Sequence, residues 1–300
     1  MSFNIPGFKV REFKDRNYRA IFNETTGQTI RIALNKKEPI QYLERPELLD
    51  VSFGTKCLAN CYFCYTSAIR NGVNYPNLAA KVHDWFGPMS QNDRPFQVAI
   101  GGGGEPTLHP EFPEAVKAFR ELGIMPNYTT NAMHFTEEVL KATVDYCGGV
   151  AISCHPHLDR IWKAGIKTLT DLKVRTNLHI IVGEPGSTDR FWEILDEFND
   201  KIEYFVLLPY QAAGRGVPVA TEKEWEKLFD SLLKRNQKNI AFGALFYEFI
   251  CKHKDKYKSF EISLYEPETM SGYLMFEDGD MIIRKSSYNL EPKFPILETA

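Results

Sequence analysis

A chain of 300 residues with 43% hydrophobic and 25% charged side chains is long enough to bury a sizeable core and has the balance of a globular enzyme. Its formal charge of -3 carries no polybasic signature of nucleic-acid or membrane-surface binding, so no nucleic-acid patch is evident. No apolar run is long enough to cross a bilayer, and Pro6, Lys9, Arg11 and Glu12 interrupt the apolar residues near Met1; the expected compartment is the cytoplasm, without membrane attachment. In that reducing setting six cysteines are better read as ligands and buried hydrophobes than as a disulfide framework.

Residues 1 to 47 are read as a capping segment. Within them, alternation from Tyr18 to Ile32 with Thr25-Thr26-Gly27 at a turn predicts a hairpin. A strand from Leu48 to Phe53 then feeds a loop carrying Cys57, Cys61 and Cys64, and a second from Phe96 to Ile100 feeds Gly101-Gly102-Gly103-Gly104-Glu105-Pro106. Further strands are expected at Met125 to Thr130, Gly149 to Cys154, Asn177 to Val182 and Tyr204 to Pro209, which makes six. Between them the apolar spacing of Phe112 to Leu122 and of Thr136 to Tyr146 is helical, and Thr136 with Glu138 and Val139 reads as a capped start. Strand and helix alternation predicts parallel pairing through right-handed crossovers, with function at the carboxyl ends of the strands. Residues 48 to 216 would form this barrel, and 217 to 300 an extension with an amphipathic helix from Glu222 to Asn236 and a hairpin from Tyr273 to Ile283 around Glu277-Asp278-Gly279-Asp280.

Three thiols in one short loop are suited to an iron-sulfur cluster and leave one iron open to bind a small molecule. A structural zinc site would need a fourth ligand from a second Cys or His pair, and none is obvious. The glycine run lets backbone groups approach a ligand closely, and Glu105 adds a carboxylate that can accept from a cationic amine. A phosphate loop would require Lys and Ser or Thr after the glycines, and neither follows. Cys147, Cys154 and Cys251 are scattered and read as small hydrophobes.

The pair of motifs resembles the radical S-adenosylmethionine (SAM) superfamily: Cys57, Cys61 and Cys64 match its CxxxCxΦC motif with Phe63 as the aromatic, and Gly102-Gly103-Gly104-Glu105-Pro106 matches its glycine-rich motif. The resemblance implies an α/β fold, a partial (β/α)6 TIM-type barrel with small N- and C-terminal extensions. It implies a [4Fe-4S] cluster on the three cysteines and SAM held by the glycine motif. Reductive cleavage would yield a 5′-deoxyadenosyl radical that abstracts hydrogen from substrate, with electrons from a flavodoxin- or ferredoxin-type donor. Asn131 stands where members read Thr-Asn-Gly, and Ser153 where they read Ser-Leu-Asp; here His155 replaces the Asp, which removes any role borrowed from it. Asn177, His179 and Ile181 share one face of the fifth strand; the resemblance implies that lumen-facing polar groups touch SAM or substrate, which makes Asn177 a candidate SAM contact and His179 a candidate substrate contact. His155 and His157 could act as hydrogen-bond donors or proton-transfer groups.

After the sixth strand, the run from Leu208 to Gly216 resembles the exit seen in members with SPASM or twitch extensions, which makes Tyr210, Gln211 and Arg215 candidate substrate contacts. No cysteine follows Cys251, so the auxiliary clusters of SPASM enzymes are not expected. The short terminal elements favour a small-molecule or nucleoside substrate. The cluster-poor architecture is compatible with a queuine lyase of queuosine salvage, although no residue identifies a deazapurine. The alternatives are a peptide-modifying maturase and a non-catalytic iron-sulfur or SAM-binding module.

Overall fold

The computed structural model describes residues 6–41, 46–235, 237–261, 271–277 and 280–284. Alternation at the amino-terminal end produces an antiparallel sheet of β1 (Phe8–Phe13), β2 (Tyr18–Asn23) and β3 (Thr29–Ala33). The expected hairpin is β2 with β3, and β1 is an additional strand paired to β2. Tyr18, Ala20 and Phe22 point the same way, as period two requires, and are buried with Phe96 and Met125. Glu47 anchors this sheet: it is 3% exposed, accepts from the Tyr18 hydroxyl at 3.0 Å and pairs with Arg31 at 2.6 Å.

Seven strands then follow in sequence order as neighbours in one parallel, curled sheet: β4 (Leu48–Val51), β5 (Gln97–Ile100), β6 (Met125–Thr130), β7 (Gly149–Ser153), β8 (Thr176–Val182), β9 (Phe205–Pro209) and β10 (Ile240–Phe242). Six were expected. β10 has only three residues, all half-buried, and so carries no alternation by which it could be read. Crossovers are made by α1 (Leu78–Phe86), α2 (Phe112–Glu121), α3 (Glu137–Tyr146), α4 (Asp159–Asp171), α5 (Ser187–Phe198) and α6 (Glu222–Lys234). The Thr136 side chain caps α3 by accepting from the Val139 N–H at 3.3 Å. α7 (Phe246–Lys252) and α8 (Lys254–Glu261) follow β10 and pack aromatic rings around Phe229. The hairpin of β11 (Ser271–Glu277) and β12 (Asp280–Arg284) joins the same sheet, β11 lying parallel to β4. The expected helix end Asn236 and turn residues Asp278 and Gly279 lie outside the described residues.

The sheet separates two environments. Leu49, Val51, Val98, Ile100, Val150, Ile152, Leu178 and Ile180 are buried beneath the helices, while the alternate residues Asp50, Ala99, Asn127, Thr129, Ala151, Asn177 and His179 face the lumen and are half-buried. On the helical side, Phe112, Ala115, Val116 and Phe119 of α2 repeat at helical spacing and are fully buried. The hairpin turn lies against the amino-terminal end of the barrel, where Gln97 Nε2 donates to Gly27 O at 3.0 Å, Gln28 Nε2 to Tyr204 Oη at 3.1 Å, and Arg175 Nη1 to Thr25 O. Chemistry is thereby left to the opposite end.

Phe119 packs on Phe86 with ring centroids 5.8 Å apart. Phe119→Ala should cost about 3–5 kcal/mol in urea unfolding. A loss below about 1 kcal/mol would show that α2 is not docked as described.

Candidate functional site

The exits of β4 and β5 run side by side beyond the sheet. Gly101 N donates to Val51 O at 2.8 Å, Gly104 N to Gly54 O at 2.6 Å and Glu105 N to Lys56 O at 2.8 Å. This approach demands glycine: a Cβ on Gly103 would stand 2.1 Å from Ser52 Oγ and 2.5 Å from Gly54 O, and one on Gly104 2.3 Å from Lys56 O. The glycines therefore do first what the sequence did not reveal. On the side where their side chains would stand, they admit the backbone leading into the cysteine loop.

That loop is closed at its base by Cys57 N to Ile69 O (2.9 Å), Ile69 N to Thr55 O (3.1 Å) and Thr55 N to Val73 O (2.8 Å). It brings Cys57, Cys61 and Cys64 together as free thiols, Cys61 buried and the other two half-buried. Burial, and then the neighbouring Cys57 and Cys64, push the Cys61 thiol up to about 12, while Arg215 draws it down. An environment that disfavours three thiolates side by side suits a strongly positive group that would deprotonate them. Three soft thiol donors on one loop are the donor type that iron-sulfur clusters take.

Two residues from the exit of β9 hold this loop. Gly214, at φ +58°, has room for no side chain, since a Cβ would lie 2.3 Å from Tyr65 O. Arg215 donates from its backbone N–H to Cys64 O (2.9 Å), from Nε to Cys61 O (2.9 Å) and from Nη1 to Ala68 O (2.8 Å). Expected as a substrate contact, Arg215 is turned onto the cysteine loop. Tyr210 likewise is 4% exposed and donates its hydroxyl to Val217 O at 2.9 Å, while Gln211 Nε2 reaches Pro209 O at 3.3 Å.

Glu105 is 6% exposed and both its oxygens are engaged. Oε1 accepts from Thr107 Oγ1 and Thr130 Oγ1, each at 2.7 Å, and Oε2 from Asn131 N at 2.8 Å. Burial raises the carboxyl and these hydrogen bonds pull it back. Expected to face an amine, the side chain locks the glycine run to the end of β6. Asn131 is carried to the cysteines by the same bond, its Nδ2 lying 3.6 Å from Cys57 Sγ. His109, not singled out from sequence, is 4% exposed; its Nδ1 accepts from Glu111 N at 3.0 Å, so Nε2 carries the proton donated to Tyr75 O at 2.8 Å, tying the glycine segment to the end of the cysteine loop.

A cavity of about 330 Å³ opens beside the loop, lined by Tyr62, Phe63, His155, Ile180, Ile181 and Arg190, among others. Phe63 meets His155 edge-on at 5.1 Å and His157 at 6.2 Å, and the two imidazoles stack at 5.9 Å. His157 Nε2 contacts Ala59 O at 3.0 Å. Burial, reinforced by His157, Arg190 and His179, lowers His155 to about 4, so it is neutral at pH 7. Tyr62 donates to Glu184 Oε2 at 2.7 Å across one side of the cavity. Ser153 ends β7 in register with His179 of β8. Asn177 lies deeper in the lumen, where its Oδ1 accepts from Tyr204 N at 3.1 Å, so it does not join the cysteines.

Residues 51–156 match the family model of the radical SAM superfamily. The structure of SuiB from Streptococcus suis bound to S-adenosylmethionine is similar with a TM-score of 0.64 at 14% identity, covering 90% of this chain and 80% of that one. SuiB bound to the precursor peptide SuiA gives 0.63 at 14% identity over 87% and 78%. Native anSMEcpe with bound AdoMet gives 0.53 at 14% identity over 70% and 67%. At these identities the likeness is one of fold. No curated protein matches the chain.

Arg215→Ala should leave the Cys61 and Ala68 carbonyls without their donors, costing about 1–3 kcal/mol and lowering the iron retained after anaerobic reconstitution. Arg215→Lys should restore at most part of it, because an ammonium lacks the guanidinium fork. Melting temperature and iron content equal to the parent protein in both variants would show the clamp to be dispensable. A second outcome concerns pH. Burial lowers His179 from 6.5 to about 4, so between those values the unfolded chain binds the proton and the folded chain does not; stability rises with pH through that window and is lost as pH falls. Urea unfolding at several pH values should therefore show the parent losing ground to His179→Gln on acidification. A constant difference between them would mean that the imidazole is not held neutral.

Proposed function

We propose that this chain is a radical SAM enzyme acting on a small-molecule or nucleoside substrate in the barrel. The observation that carries the reading is three free thiols on one loop, clamped from both sides, whose Tyr62 and Phe63 line a cavity of about 330 Å³. The match of residues 51–156 and the fold shared with SAM-bound structures support it.

In this reading Cys57, Cys61 and Cys64 hold a [4Fe-4S] cluster with one open iron. Cluster and SAM together supply an electron, cleavage of a carbon-sulfur bond and a 5′-deoxyadenosyl radical. The protein's own part is positioning. Glu105, through Thr107, Thr130 and the Asn131 N–H, keeps the glycine run rigid so that backbone groups of Gly102, Gly103 and Gly104 are offered to the amino group of SAM. Asn131 and Ser153 stand at the neighbouring strand ends as polar contacts to SAM. Phe63, braced edge-on by His155, supplies an aromatic wall for the adenosyl group, and its cavity falls within the size range of small-ligand sites. Neutral His155 can donate or accept one hydrogen bond without adding charge. Arg215 and Tyr210 act at one remove, by fixing loops. Electrons would come from a flavodoxin- or ferredoxin-type donor.

A second reading, peptide modification, is favoured by the fold shared over 87% of the chain with SuiB bound to a precursor peptide. One experiment addresses both. The reconstituted, reduced protein should contain about four irons per chain and convert SAM to 5′-deoxyadenosine, and replacing any of the three cysteines by Ala should abolish this. Intact cluster with no 5′-deoxyadenosine would leave a non-catalytic module. Stimulation by peptide fractions alone, with none from small-molecule or nucleoside fractions, would make peptide modification the function.

A further inference from the structure

Asn131, at the exit of β6, is 5% exposed, and its bonds fix which way its amide faces. The backbone N–H donates to Glu105 Oε2 at 2.8 Å, which holds the residue in place. Oδ1 accepts from the Met133 N–H at 2.9 Å, a bond that only the oxygen end of an amide can make. Nδ2 is therefore the end turned toward Cys57 Sγ, 3.6 Å away. The amide cannot turn from the sulfur without leaving the Met133 N–H unpartnered at a buried position, which costs about 1–3 kcal/mol.

The polar side chains beside the other two cysteines are committed elsewhere. Thr66 Oγ1 lies 3.4 Å from Cys64 Sγ, but its one hydrogen is given to Gly103 O at 3.1 Å. Arg215 turns Nε and Nη1 to the carbonyls of Cys61 and Ala68, so it serves the backbone of the loop. Cys57 takes one hydrogen bond from within its own loop, from the Ala59 N–H, and one from another strand, from Asn131. Nδ2 carries two hydrogens, so the bond to sulfur leaves one for a contact to SAM.

We propose that Asn131 is a positioning residue for the iron-sulfur cluster: acting through the Cys57 sulfur, it raises the reduction potential of the centre and so makes the electron that starts the reaction easier to accept. The proposal rests on the reading of the three thiols as cluster ligands. A thiolate bound to iron keeps part of its negative charge, and reduction adds an electron whose charge spreads onto the cysteine sulfurs. A donor held on one of those sulfurs therefore stabilises the reduced form more than the oxidised one. Because Met133 and Glu105 fix the amide in advance, no reorganisation is needed when the electron arrives.

The test is a redox titration of the anaerobically reconstituted protein, without SAM or substrate, in which the reduced cluster is followed by electron paramagnetic resonance. Asn131→Leu, close in size and without a donor, should lower the midpoint so that the ratio of reduced to oxidised cluster at a fixed potential falls at least threefold, about 30 mV for one electron. Asn131→Asp keeps an oxygen for the Met133 N–H and replaces the donor by an acceptor, and its fall should be at least as large. Where Asn131→Leu did not retain about four irons per chain, Asn131→Asp decides by the same criterion. Thr136→Ala removes the cap of α3 and no donor to sulfur, so it should lower the melting temperature and leave the midpoint at the parent value. A midpoint unchanged in the loaded Asn131 variants, or an equal fall in Thr136→Ala, would overturn the proposal while leaving the radical SAM reading in place. A parent protein that takes up no cluster would overturn both.

Discussion

The close approach of two strand exits governs the rest of this molecule. Ser52 to Lys56 and Gly101 to Glu105 continue the pairing of β4 and β5 past the edge of the sheet, at a separation that no side chain on Gly103 or Gly104 would permit. From that contact the cysteine loop departs on one side and the buried Glu105 on the other. Glu105 extends the contact to β6, and Arg215 brings in β9, so the loop is tied to strands on both flanks of the barrel. No one of these bonds is strong by itself, since a net hydrogen bond contributes about 1 kcal/mol. Their value lies in over-determining one backbone path, which is what a site with fixed geometry requires.

Electrostatics at the mouth are arranged around neutrality. His109, His155 and His179 are each lowered by burial, so none carries charge at pH 7. The acids nearby are met by donors: Glu105 is surrounded by them, and Tyr62 caps Glu184.

Much of this architecture was legible in the sequence because its signals were local. The order of strands and helices, the hairpin Tyr18 to Ile32, the Thr136 cap and the proximity of the three cysteines all follow from periodicity or spacing within a few residues. What escaped was long-range. Glycines read as making room for a ligand also make room for a neighbouring backbone, and a sequence does not say which neighbour. Arg215 and Tyr210 read as substrate contacts from the sequence, yet the direction of their side chains depends on carbonyls about 150 positions away for Arg215 and on Val217 for Tyr210. The three-residue β10 carried too few residues to show one.

The clamp from Arg215 has a consequence for how the protein is made. Its partner Cys61 lies 154 residues earlier, among the most distant contacts in the fold. Contacts of high sequence separation form late, because loop closure must precede their reward. During synthesis the three cysteines therefore emerge long before the residue that fixes their loop, and they wait in an unfinished setting while nearly the whole barrel is built. On the proposed function, metal loading that depends on the finished loop belongs after translation, and a chain ending before Gly214 would carry all three thiols yet lack the means to present them.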